Sequence, residues 1–182
     1  MKLPFCKYHG AGNDFIIIDN LSGQYHLSDS QISALCHRRF GIGADGLMLL
    51  GHAGAPWSYA MDFFNSDGTR GTMCGNGGRC LVAFADFLGI ENHYFTAIDG
   101  THQGFLLERK DNYSKVQLGL NDVQGLRHYQ KDSYLLDTGS MHLVRFIPDV
   151  KAVDMATEGP YWRHHSDFGK QGVNVNFVEI LD

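Results

Sequence analysis

No apolar run in these 182 residues approaches the ~20 needed to span a bilayer, so a membrane-crossing helix is not expected. The opening MKLPFCKYHG lacks the apolar core of a secretory signal. Positive charge is also short. Fifteen Lys and Arg face twenty Asp and Glu, for a formal charge of −5, and the cations are scattered. That argues against a nucleic-acid surface. The four cysteines, at 6, 36, 74 and 80, show no CxxC metal spacing. They read as reduced thiols of a cytoplasmic protein, with no metal. No GxGxxG follows a strand, and no glycine loop ends in Gly-Lys-Ser/Thr, so a phosphate cradle is weakly supported.

Glycine is what the sequence has in excess, 22 residues against an ordinary share of about 7%. The stretch Asn65–Gly89, NSDGTRGTMCGNGGRCLVAFADFLG, concentrates it. Asn65-Ser66-Asp67-Gly68 has the residues of a tight turn. Cys74 follows, then Gly75, Asn76, Gly77 and Gly78. From Arg79 the residues Leu81, Val82, Phe84, Ala85, Phe87 and Leu88 predict a helix apolar nearly all round, hence buried, ended by Gly89. A thiol at the start of such a helix meets unpaired N–H groups and a partial positive charge, which favour a thiolate. The glycines let amides approach a carboxylate. The alternative is a buried structural thiol beside a loop that needs glycine.

Before this stretch the sequence predicts a strand over Leu3–His9, a glycine loop over His9–Asp14, and a strand over Phe15–Asp19. Asn13 and Asp14 then leave the loop where ligand-binding side chains are often placed. The alternative is a hairpin with Asn in a left-handed conformation. Ser28–Gln31 is a capping box opening a helix, with Ile32, Leu35, Cys36 and Phe40 as its apolar stripe and Gly41–Gly43 as its end. Gly46–Leu50 and Trp57–Phe64 read as strands. Tyr94–Ile98, Gln103–Arg109 and Tyr113–Leu118 form an antiparallel meander. Asn121–Ser133 is polar and aperiodic and reads as a linker, giving domains at 1–121 and 122–182. The remainder echoes the start: strand 134–137, loop 138–141, strand 142–147, helix 149–165, strand 173–180. That order suggests an internal repeat.

The motifs KYHGAGNDFIIID, GIGADGLMLL, FNSDGTRGTMCGNGGRC and VNVNF resemble the diaminopimelate epimerase family in order and spacing. The resemblance implies an α+β fold of two similar domains, each a curled, mostly antiparallel β-sheet around a central buried helix, the second only begun here. It implies epimerisation of LL- to meso-diaminopimelate, a lysine and cell-wall precursor, without pyridoxal phosphate or any other cofactor. Two cysteines exchange acid and base roles across the α-carbon. By position, Cys74 is one of them, and Gly75 and Asn76 bind the α-carboxylate region. Asn13, Asn65 and Asn174 contact the substrate, and His142 tunes the cysteine pair. Taken alone, His142 reads instead as a strand-edge histidine with a satisfied hydrogen bond.

The family's Gly-Asn-Pro-His is Gly139-Ser140-Met141-His142 here, so Ser140 takes an asparagine's place. Gly46 stands where some relatives carry a substrate-contacting glutamine. The second cysteine is expected beyond Asp182, near position 201 on the order of the repeat spacing. These 182 residues alone are therefore expected not to complete the reaction. The implied partners are the small-molecule substrate and a second copy in a homodimer. Two alternatives remain, a same-fold racemase or isomerase of another amino or hydroxy acid and a non-catalytic ligand-binding remnant.

Overall fold

The computed structural model describes residues 2–170 and 172–181. The chain divides into two compact units, Met1–Leu120 and Asn121–Asp182. The first holds seven strands lying side by side in chain order: β1 (Cys6–Gly10), β2 (Asn13–Asn20), β3 (Gly46–Gly51), β4 (Tyr59–Asn65), β5 (Tyr94–Ala97), β6 (Gly100–Lys110) and β7 (Tyr113–Leu118). The sheet is mixed. The steps β2–β3 and β4–β5 are parallel and the others antiparallel. A parallel step needs a crossover, and each crossover carries a helix, α1 (Asp29–Cys36) in the first and α2 (Gly75–Phe87) in the second.

The helices take opposite faces of the sheet. Ile16, Ile18, Leu47 and Leu49 cluster with Ile32 and Cys36 of α1. Phe15, Ile17, Met48, Leu50 and Met61 cluster with Leu81, Val82, Phe84 and Ala85 of α2. Successive strand residues point to opposite faces, so the three consecutive isoleucines of β2 serve both cores and all are fully buried. The sheet curls about α2, the central buried helix the residues predict. Gly89 (φ 83°) closes α2, with its N–H on Asp86 O at 2.9 Å and that of Ile90 on Ala85 O at 3.0 Å, a Schellman ending.

Several boundaries differ from expectation. The His9–Asp14 glycine loop is a two-residue turn, Ala11-Gly12, both with positive φ (54° and 88°), as a type I′ hairpin turn requires. Asn13 is therefore the first residue of β2 and not left-handed. Helix α2 begins at Gly75 rather than Arg79, so the glycine cluster is its first turn. Helix α1 has its capping box but stops at Cys36, where Ile42 and Gly43 N–H turn back to Leu35 O at 2.8 and 3.0 Å. Phe40, read into the apolar stripe, is 89% exposed.

The second unit is a four-stranded sheet, ordered β11-β10-β9-β8, built from β8 (Gln124–Gln130), β9 (Ser133–Asp137), β10 (Met141–Phe146) and β11 (Asn174–Val178), with α3 (Met155–Arg163). The expected linker is thus corrected, because most of it is β8. This strand pairs with β9 in an irregular register and holds through backbone bonds, so it shows no apolar alternation. The expected 149–165 helix is broken because two aspartates cap separately, Asp149 a 3-10 turn and Asp154 α3. The connection β9–β10–α3–β11, an antiparallel hairpin followed by a crossover to a parallel strand, repeats β1–β2–α1–β3. Its core is small, centred on Leu135, Leu143 and Val173.

Candidate active site

Cys74 is the N-cap of α2, with extended backbone (φ −110°, ψ 126°) and no side-chain cap bond of its own. Its carbonyl accepts the N–H of Gly78 at 2.7 Å. The N–H groups of Gly75, Asn76 and Gly77 have no carbonyl partner within the helix, and they carry its positive end. The sulfur is half-buried, and Cys74 Sγ donates to Asn13 Oδ1 at 3.6 Å.

The glycines let the first turn of α2 reach this place. A methyl group on Gly77 would lie 3.3 Å from Met48 Sδ and 3.4 Å from Met61 Cε, and one on Gly78 would lie 2.6 Å from Leu118 Cδ2. On the other side, a methyl on Gly10 would lie 3.0 Å from the Asn76 carbonyl. The turn is wedged between β1, the sheet face and β7.

Strand register supplies the rest. Phe15 pairs with Gly46, and Gly46 with Asn65. The start of β2 and the end of β4 therefore share one end of the sheet. Asn13 has the parity of Phe15 and Ile17, and Asn65 that of Met61 and Phe63, so both face the α2 side. The Asn65 NH2 donates to Thr69 Oγ1 at 3.1 Å, and the Thr69 hydroxyl donates to Asp67 at 2.6 Å. The Thr69 hydroxyl bond holds the Asp67 carboxyl below its ordinary pKa. Asn76 accepts from Arg79. The unit thus brings together Cys74, Asn13, Gly75 and Asn76, with Asn65 on the same end and face.

At Gly46 the structure accounts for the missing side chain. The Phe63 ring stands where it would be, and an added methyl would meet Phe63 Cε2 at 2.5 Å and the Phe64 carbonyl at 2.7 Å.

The other cysteines differ from Cys74 in their surroundings. Burial pushes the Cys80 thiol up to about 12 and raises those of Cys6 and Cys36. Cys6 and Cys80 line a separate cleft of about 760 Å³ at the seam between β1 and β7, which Cys74 does not line.

Asp45, and Arg38 behind it, were missed by sequence reasoning and support Asn13. Asp45, just before β3, accepts from Asn13 Nδ2 at 2.9 Å, from the Asp14 N–H at 3.2 Å and from Arg38 at 2.7 Å. Asp14 accepts from Arg38 and Lys7, each at 2.7 Å. The Arg38 bond, aided by Lys7, holds the Asp14 carboxyl well below the usual carboxylate range against the opposing effect of burial. Only the GADG of one motif hinted at Asp45.

In the second unit Ser140, His142 and Asn174 converge because His142 and Asn174 are register partners of β10 and β11. Asn174 Nδ2 donates to Ser140 Oγ at 3.2 Å. Asn176, which the sequence reading also missed, brings its NH2 to His142 Nδ1 at 3.1 Å and to the carbonyls of Leu143 and Asn174 at 3.4 Å. Carbonyls only accept, so the NH2 is the group on this side and His142 Nδ1 is an acceptor. The neutral ring then carries its hydrogen on Nε2 and donates to Ser140 Oγ, 3.2 Å away. Burial lowers the His142 pKa, opposed by Asp137. Ser140 Oγ receives two donors, which leaves its own hydrogen to donate.

Among the described residues no three His, Cys, Asp or Glu side chains form a metal-holding group, and no helix is long and apolar enough to cross a membrane.

Residues 5–119 match the family described as diaminopimelate epimerase. The diaminopimelate epimerase of Chlorobaculum tepidum is 40% identical over 175 residues, covering 94% of this chain and 68% of that protein. That of Flavobacterium psychrophilum is 43% identical over 176 residues, covering 94% and 66%. The chain therefore spans about two thirds of the length of these relatives. Among solved structures, a phenazine biosynthesis protein of the PhzF family from Bacillus anthracis matches with TM-score 0.61 at 11% identity, covering 83% of this chain and 58% of that one. This last likeness concerns the fold alone.

Proposed function

This chain belongs to the diaminopimelate epimerase family, and we propose that it carries one side of a two-base epimerisation site. The reaction is inversion of LL-diaminopimelate at one α-carbon to the meso form, without pyridoxal phosphate or metal. Cys74 is the acid or base on one face of that carbon. As thiolate it takes the α-proton and becomes a thiol. A thiol on the opposite face then gives its proton to the carbanion, and the carbon is inverted with no net change in protons. In the reverse direction the two exchange roles.

The observation that carries this reading is the Cys74 sulfur at the N-cap of α2, beside the first-turn amides and 3.6 Å from Asn13 Oδ1. Inversion needs a group that can both take and give a proton near neutral pH. It also needs fixed donors for the negative charge that develops on the α-carboxylate. The N–H groups of Gly75 and Asn76 are suited to that charge. In the first unit Asn13 and Asn65 are assigned to the rest of the substrate; Ser140, Asn174 and His142 of the second unit take their substrate-contacting and pKa-tuning roles from the family resemblance alone. The second thiol is assigned to none of Cys6, Cys36 and Cys80, whose burial disfavours ionisation. The same reading extends to a cytoplasmic enzyme acting as a homodimer on a small amino acid.

Conversion of LL- to meso-diaminopimelate, followed by chiral chromatography with the protein translated from its whole reading frame, tests the proposal. Cys74→Ala is expected to lower the rate by about 10²–10⁴-fold, the usual worth of a positioned acid or base. Unchanged conversion in that variant would refute it. A panel of other amino acids, assayed in parallel, separates diaminopimelate from a different substrate.

A further inference from the structure

We propose that Asp45 is a positioning residue for Cys74: it fixes the Asn13 side-chain amide so that the carbonyl oxygen, and not the NH2, faces the sulfur. An asparagine amide has two faces of opposite character, and rotating it by half a turn exchanges an acceptor for a donor. Asp45 removes that freedom. Its carboxylate can only accept, and Oδ2 lies 2.9 Å from Asn13 Nδ2. Oδ2 also accepts the Asp14 backbone N–H at 3.2 Å, which ties it to the start of β2. Its other oxygen accepts from Arg38 Nη2 at 2.7 Å, and Arg38 is held in turn by Asp14, at 2.7 and 3.2 Å. The Asp45 N–H closes the ring on Asp14, bonding its backbone carbonyl at 3.0 Å and its side chain at 3.1 Å. With both carboxylate oxygens engaged, the Asn13 NH2 has one place to go.

The consequence falls on Cys74. An amide oxygen matches an S–H and is mismatched to a bare thiolate, whereas an amide N–H would be the reverse. In the unliganded site the sulfur therefore faces an acceptor, the partner of an S–H, and Cys74 acts as the base only once substrate displaces or turns that contact. Only this last step rests on the epimerase reading. The clamp itself can be tested without turnover, so failure of one is distinguishable from failure of the other.

The test is alkylation of Cys74 by iodoacetamide at neutral pH, followed by peptide mass spectrometry in a double-mutant cycle. Asp45→Ala frees the Asn13 amide to turn its NH2 toward the sulfur. The Cys74 alkylation rate is expected to rise about three- to tenfold, the effect of one hydrogen bond exchanged at the thiolate. In an Asn13→Ala background the same substitution should change the rate by less than about twofold, because the effect passes through Asn13. A direct effect of removing the Asp45 charge would appear equally in both backgrounds. An equal change in both, or no change in either, overturns the proposal. Should Asp45→Ala fail to fold by circular dichroism, the unmutated protein decides. The clamp predicts slower solvent exchange of the Asn13 side-chain NH2 in a nitrogen-15 spectrum than of the exposed Asn112, and equal exchange overturns it.

Discussion

Replacing Gly71 by alanine places a methyl group against the ring of Phe63. That methyl would sit 2.6 Å from both Phe63 Cδ1 and Cε1, roughly 1 Å inside the best carbon–carbon separation. The ring cannot retreat freely, because Gly46 lies against it on the far side, with a corresponding methyl position 2.5 Å from Phe63 Cε2. Phe15 meets it edge-on, with ring centroids 5.9 Å apart and planes at 77°. Overpacking of this kind costs about 1–3 kcal/mol, and that range is the expected loss for Gly71→Ala in denaturant unfolding. Phe63→Leu removes the ring, so in that background Gly71→Ala should cost little, a coupling of about 1–2 kcal/mol. Gly46→Ala is the contrast, because its methyl would also meet the Phe64 backbone carbonyl at 2.7 Å, which Phe63→Leu leaves in place. Its loss should persist. If Gly71→Ala is neutral, or costs the same in both backgrounds, the ring is not clamped as described.

Other outcomes follow from the same geometry. Ala11 holds φ 54° in the first hairpin turn. Ala11→Asn, which gives the Asn-Gly pair a type I′ turn favours, should stabilise the protein by about 0.5–1 kcal/mol in denaturant unfolding, since a left-handed alanine is strained by about 1–2 kcal/mol. Ser28 accepts from Gln31 N–H at 3.3 Å, and Gln31 returns the bond to Ser28 N–H at 2.9 Å. Ser28→Ala should cost about 1 kcal/mol in the same measurement. His142 has a folded-state pKa below its unfolded value because burial disfavours the charge. Its contribution is fully present above the unfolded pKa and is lost as pH falls through the folded one, because the unfolded chain takes the proton first. Unfolding followed from pH 7 downward should show a smaller loss in His142→Gln than in the unmodified protein. His93, lowered by burial in the same sense, is common to both and cancels.

The position of the thiol is written in the chain because an apolar helix must be buried and its start can be located. Where that helix begins was less legible. Glycine disfavours helices locally, so Gly75–Gly78 read as loop. They are helical because Gly77 and Gly78 pack where any larger residue would meet Met48, Met61 or Leu118. The isoleucine run of β2 reads as a buried strand, and the structure covers it on both faces. Strand β8 escapes such reading because, among its described side chains, Tyr129 alone packs on the small core, which is too little to impose alternation. Phe40 has the right spacing for the α1 stripe, but the helix stops at Cys36 before reaching it. Asn13 and Asn174 could be named from motifs, whereas Asp45 and Asn176 act through a neighbour's orientation, and that orientation becomes visible only once strands are in register.

The most direct measurement is hydrogen exchange at the substrate. The protein translated from its whole reading frame is incubated with LL-diaminopimelate in deuterated water, and the α-hydrogen signal is followed by proton NMR. The account predicts progressive loss of that signal with Cys74 present and a loss slower by about 10²–10⁴-fold in Cys74→Ala. Exchange in Cys74→Ala at the unmodified rate would contradict it.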